Sequence, residues 1–165
     1  MRQLLRAPAF ALVAGVLFIL FDQWVKLVAL TRLAHESLRY GSSSLWLDVA
    51  LSLNPGAFLS LGAGLPLLLK QAIFVIAVGL VVAWAIRWSL SHWSIATAKA
   101  AAVYLIALGG ASNLFDRVYR DGHVVDYLVL NLGSLHTGVF NIADMAIMAG
   151  AFYLIVEGLR RPSQA

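Results

Sequence analysis

Residues 123–147 read HVVDYLVLNLGSLHTGVFNIADMAI. The first part, HVVDYLVLNL, is rich in β-branched and aromatic residues and favours a strand or hairpin. The last part, opening with FNIAD at residues 140–144, starts an apolar run to residue 158 that is long enough to cross a bilayer. Asp126 therefore falls in an extended connector, and Asp144 about one turn below the start of a span. An ionised carboxylate beside or inside such a span is costly and usually functional. The question the chain poses is why two acids stand at this junction.

The rest of the chain sets the context. Its 165 residues are 61% hydrophobic and only 12% charged, with a mean hydropathy of +0.85, outside the range of an ordinary soluble domain. Four apolar stretches, residues 8–31, 66–88, 94–114 and 140–158, are each long enough to span. Expected is a single integral membrane domain over residues 1–165, an all-α membrane protein of four transmembrane helices. Loops at about 32–65 and 115–139 add a small β-rich platform, since the middle of the first alternates and the second carries HVVDYLVLNL. Only SLSHW separates the second and third spans, which makes them a tight antiparallel pair.

The net charge of +4 comes from Lys and Arg placed singly or in pairs at the ends of apolar runs, a membrane-flank pattern and not a nucleic-acid groove. The absence of cysteine excludes thiol catalysis, disulfides and palmitoylation. Arg2 and Arg6 before an apolar run resemble a signal peptide, but DQWVK follows where a small-residue cleavage site would stand, so the segment is expected to be a retained span. Counting basic residues leaves six on each side of the membrane and does not orient the bundle. Seven of the eight acids fall on the loop side, which favours cytoplasmic termini. Trp84, Trp88 and Trp93 mark an interfacial belt on the terminal side.

The polar residues form patterns. Asp22 and Lys26 lie four residues apart on one helical face, with the acid first, the favourable order for an ion pair. Asn113, Asp116 and Arg117 share a face at the end of the third span. There Arg117 could clamp a carboxylate and Asn113 could cap or bridge. Asn141 and Asp144 share a face of the fourth span, and no cation stands within a turn of Asp144. A strand alternation sends Asp126 opposite to Val125 and Tyr127. If Asp126 and Asp144 meet, they cannot comfortably both ionise; sharing a proton, one can act as base on a water and the other as acid toward a carbonyl. NPGAF, with Asn54 and Gly56, reads as a turn returning the chain to the membrane. His35, His92, His123 and His136 lack metal-ligand spacing, and no metal or other cofactor is expected. A serine–lysine dyad using GSSS with Lys26 or Lys70 is conceivable, but nothing fixes its geometry.

Taken together, FDQWVK, NPGAF, GGASNLFDR, GHVVDYL and FNIAD, in this order and spacing over nearly the whole chain, resemble the lipoprotein signal peptidase family, the bacterial signal peptidase II. That resemblance implies an aspartyl endopeptidase of the bacterial inner membrane that removes the signal peptide of diacylglyceryl-modified prolipoproteins before the lipidated cysteine. It implies Asp126 and Asp144 as the catalytic pair. Asp22, Lys26, Asn54, Gly56, Asn113, Asp116, Arg117 and Asn141 would support the site and contact the substrate. It further implies cytoplasmic termini and a periplasmic platform that cradles the peptide. A monomer among membrane lipids is expected. Phe58, Ser112, Met145 and the GSLHTGV approach depart from the family's common pattern. They leave every catalytic group in place and concern the lipid-side pocket. Two other readings are a small proton-coupled transporter, for which the acids are gathered too much at one end, and a non-catalytic scaffold, which would have lost an acid.

Overall fold

The computed structural model describes residues 2–55 and 66–160. The elements run α1 (Arg2–Arg32), β1 (Leu38–Gly41), β2 (Leu45–Asn54), α2 (Leu67–His92), α3 (Thr97–Tyr119), β3 (Val124–Leu132), β4 (Leu135–His136) and α4 (Ile142–Arg160). All four helices are long and apolar enough to cross a membrane, over Ala9–Arg32, Gln71–His92, Thr97–Tyr119 and Ile142–Arg160. Large apolar side chains such as Leu17, Leu20, Phe21 and Trp24 on α1 face outward. Such exposure would be an aggregation hazard in water and is the natural lining toward lipid.

Two boundaries differ from the expected ones. Helix α2 continues to His92 and absorbs most of the segment read as a connector, leaving a tight turn at residues 93–96. Helix α3 continues past residue 114 to Tyr119. The fall in hydropathy at NLFDRVYR ends the apolar run, but those residues are all helix-competent. The helix stops where Asp121 and Gly122 take positive φ (48° and 83°) and the Gly122 amide bonds back to the Arg117 carbonyl at 3.0 Å. Asn113, Asp116 and Arg117 are therefore held on a rigid helix.

Helix α3 is the central element and packs against α1, α2 and α4. Close approach comes from glycine: a Cβ on Gly109 would strike the Ala143 carbonyl, and one on Gly150 the Ala102 carbonyl. In the half of the bundle away from the sheet, the Tyr104 hydroxyl donates to the Ala11 carbonyl at 2.9 Å and ties α3 to α1.

The strands form one antiparallel sheet in the order β1-β2-β3-β4. Strands β1, β2 and β3 are joined at Asp48, which Arg39 grips through Nε and Nη2, while Trp46 Nε1 and Asn131 Nδ2 also donate to it at 3.0 Å each. The Arg39 guanidinium holds the Asp48 carboxyl below the usual range. Where β3 meets the bundle, the amides of Tyr127 and Leu128 both bond to the Phe140 carbonyl, at 3.1 and 2.9 Å. This is a bulge, and the β2–β3 register shifts between Val49 and Ser52 alongside it. Tyr127 and Leu128 consequently both turn toward α1, joining Ala29, Val125, Val49 and Leu51 in a buried cluster. Asp126 is left on the other face, toward α3 and α4.

Candidate active site

The site is assembled on a buried ionic network between α1 and α3. Asp22, Lys26 and Asp116 are all fully buried. Lys26 Nζ spends its three donors on Asp22 Oδ2 at 2.8 Å, Asp116 Oδ2 at 3.0 Å and Asn113 Oδ1 at 2.9 Å. Arg120 pairs with Asp116 Oδ1, which also accepts Gln23 Nε2 at 2.8 Å. Ser112 Oγ donates to Asp22 Oδ2 at 2.6 Å. Two carboxylates and two cations thus balance in charge, with their lone pairs occupied, the condition under which buried ions are tolerated.

This network reaches outward at two backbone amides. Asp116 Oδ2 accepts the Val125 amide at 3.1 Å and thereby locks the start of β3. Asp22 Oδ1 accepts the Ala143 amide at 3.0 Å and satisfies one of the open donors at the start of α4. Asn141 caps the same helix: its Oδ1 accepts the Asp144 amide at 2.9 Å, while Asp144 Oδ2 accepts the Asn141 amide at 3.1 Å. The reciprocal pair is a capping box built from Asn and Asp. The spacing of Asn141 and Asp144 in the sequence has this local reason, and the helix dipole favours negative charge at that end.

The two candidate acids converge on Asn141. Its Nδ2 donates to Asp126 Oδ1 at 2.7 Å, and its backbone donates to Asp144 as above. Asn54 Nδ2 donates to Asp126 Oδ2 at 2.9 Å, and Asn113 Nδ2 to Asp144 Oδ1 at 2.7 Å. The Asn141 amide also donates to Asn113 Oδ1 at 3.1 Å, linking the pair to Lys26 through one shared acceptor. Asp126 is only 1% exposed. Burial, and next to it the negative charge of Asp144, push its carboxyl above the ordinary carboxylate range, against the opposing pull of the Asn54 and Asn141 amides. Such a site can hold Asp126 protonated beside a second carboxyl group.

Of the residues singled out from sequence, Asp22, Lys26, Asn54, Asn113, Asp116, Asp126, Asn141 and Asp144 join this single hydrogen-bonded assembly. Gly56 lies outside the described residues. Arg117 differs from its reading as a carboxylate clamp. Its Nη1 donates to the Asn113 carbonyl at 3.4 Å and its guanidinium lies over the Phe74 ring, while Arg120 takes Asp116. Arg117 still feels the charges of Asp126 and Asp144 electrostatically. Gln23, Ser112 and Arg120 were not anticipated. The four-residue spacing of Asp116 and Arg120 was a usable signal; nothing local marks Gln23 or Ser112. Among the described residues no group of three or more His, Asp or Glu side chains is placed to hold a metal ion.

A four-span bundle with a small antiparallel sheet at one end is a fold already seen in bacterial membrane enzymes. A structure solved by the in meso method at 1.9 Å superposes with a TM-score of 0.76 at 22% identity, over 93% of this chain and 95% of that one. A second, at 2.3 Å, gives 0.71 at 21% identity over 95% and 94%. Residues 14–160 match the family described as Signal peptidase (SPase) II. The lipoprotein signal peptidase of Syntrophus aciditrophicus (strain SB) is 32% identical over 160 residues, covering 94% of each chain. That of Cupriavidus taiwanensis is 36% identical over 160 residues, covering 93% of this chain and 85% of its own. The chain belongs to the signal peptidase II family.

Proposed function

We propose that this protein cleaves the signal peptide from diacylglyceryl-modified prolipoproteins, before the lipidated cysteine, by an aspartyl mechanism in which Asp126 and Asp144 are the catalytic pair. The observation that carries the assignment is the convergence of both carboxyl groups on Asn141. Asp144 stands at the N-terminus of α4 and accepts from Asn113 and from a backbone amide. Asp126 is the member pushed toward protonation. With a substrate carbonyl between them, Asp144 takes a proton from the attacking water while Asp126 gives its own to the carbonyl oxygen. The tetrahedral species then collapses as a proton passes to the leaving nitrogen. Asn54, Asn113 and Asn141 position the acids, and the buried ions behind them hold β3 and α4 in register.

The reading extends to placement. The sheet and the acids sit at one end of the bundle, opposite the 93–96 turn. We assign that end to the periplasmic face of the inner membrane, both termini to the cytoplasm, and the whole chain to one monomeric domain. The acidic loops and the family support this orientation. The test is cleavage of a lipid-modified prolipoprotein by the purified protein in detergent. Asp126→Asn and Asp144→Asn should each abolish it, and processing that persists in either variant removes the pair from the chemistry.

A further inference from the structure

A cavity of about 450 Å³ lies between the last two turns of α1 and the sheet, on the side of β3 away from Asp126. Its size falls within the usual range for small-molecule sites, roughly 300–1,000 Å³. Val25 and Ala29 of α1, Leu33 just beyond it, and Val49, Tyr127 and Leu128 of the sheet line it, with Arg32 and Glu36 as the only charged residues among the described ones. The bulge creates it, because it turns two consecutive side chains of β3 toward α1. Val28 lines the cavity and also belongs to the outward apolar surface of α1, so an acyl chain can enter from the bilayer without crossing water. Arg32 and Glu36 are both exposed, and neither appears in an ion pair among the described residues.

We propose that this cavity binds a bilayer phospholipid whose zwitterionic head carries a primary ammonium, with one acyl chain inside, the phosphate at Arg32 and the ammonium at Glu36. The order of the protein groups along the chain, apolar at Val25 to Ala29, cationic at 32 and anionic at 36, follows the order of chain, phosphate and ammonium in such a lipid. A guanidinium suits phosphate through paired donors. A diacylglyceryl group has neither charge and leaves both residues unmatched, which separates this site from one for the lipidated substrate. The inference stands on the cavity and its charges and does not depend on the reaction proposed above.

The test is native mass spectrometry of the full-length, delipidated protein in detergent, mixed with equal amounts of phosphatidylethanolamine, phosphatidylglycerol and diacylglycerol of identical chains. The expected result is one retained phosphatidylethanolamine in preference to the other two. Arg32→Ala should lower its retention about tenfold, the loss of one charge-assisted contact. Glu36→Gln should remove the preference over phosphatidylglycerol, and Val28→Trp at the cavity mouth should reduce retention of all three. Arg160→Ala, at the far end of α4, should change nothing. Equal retention of diacylglycerol, or equal losses in the Arg32 and Arg160 variants, would overturn the proposal. So would displacement of the phospholipid by a diacylglyceryl-modified peptide, which would make the cavity part of the substrate site.

Discussion

Asn141 donates its side-chain amide to Asp126 at 2.7 Å. That bond favours the ionised carboxylate, so removing it should raise the carboxyl's titration further. With Asp126 as the proton-bearing member, Asn141→Ala is expected to lower peak activity and move the alkaline limb of the pH–rate profile upward. The limb reports the coupled pair. An unmoved or downward-shifted limb would contradict the roles assigned to the two acids. Loss of the cap should also cost about 1 kcal/mol of stability.

Asp126→Asn separates stability from function. The native carboxyl titrates above its ordinary value of 3.8. The folded state therefore gains from the protonated form below that value and loses the gain as pH rises through the shifted one. Relative to the parent, the variant should become progressively more heat-resistant as pH rises above about 4, while inactive throughout. Thermal melts in detergent across that range check the sign. A stability difference that moves the other way would mean that Asp126 is ionised at little cost.

Lys26→Met leaves Asp22 and Asp116 buried with one cation fewer. The expected penalty is about 3–5 kcal/mol, enough to remove most folded protein from the membrane fraction. Combining it with Asp22→Asn restores charge balance and should recover part of the loss. Additive effects in the pair would show that the two residues do not act as a unit.

Gly109→Ala and Gly150→Ala both push α3 and α4 apart, because each new Cβ meets a backbone carbonyl. Both should lower the melting temperature. Gly109 lies one turn before Asn113, whose amide reaches Asp144 at 2.7 Å. At equal amounts of folded protein, Gly109→Ala should therefore cost at least about tenfold in kcat, and Gly150→Ala little. Equal kcat losses would place the effect in folding alone.

The spans and the polar residues of the assembly were legible because each rests on a local pattern: apolar length, a four-residue pair, an Asn-x-x-Asp helix start. The expected opposition of Asp126 to Val125 and Tyr127 also follows from strand alternation. What stayed hidden depends on tertiary proximity. Gln23 reaches Asp116 and Ser112 reaches Asp22 across some ninety residues of chain, and neither carries a local mark. The bulge at Tyr127 and Leu128 needs Phe140 opposite it. Arg120 taking Asp116 follows from α3 continuing to Tyr119, past the point where its hydropathy falls.

Asp22 emerges early in synthesis, and the amide it caps belongs to Ala143, 121 residues later. Helix α1 thus carries a latch for α4. Until α4 has threaded into place, Asp144 is missing from the bundle and two interior carboxylates share too few partners. With Asp144 in the catalytic role proposed above, proteolytic competence waits for α4, and a copy in which α4 is misinserted is expected to be inert.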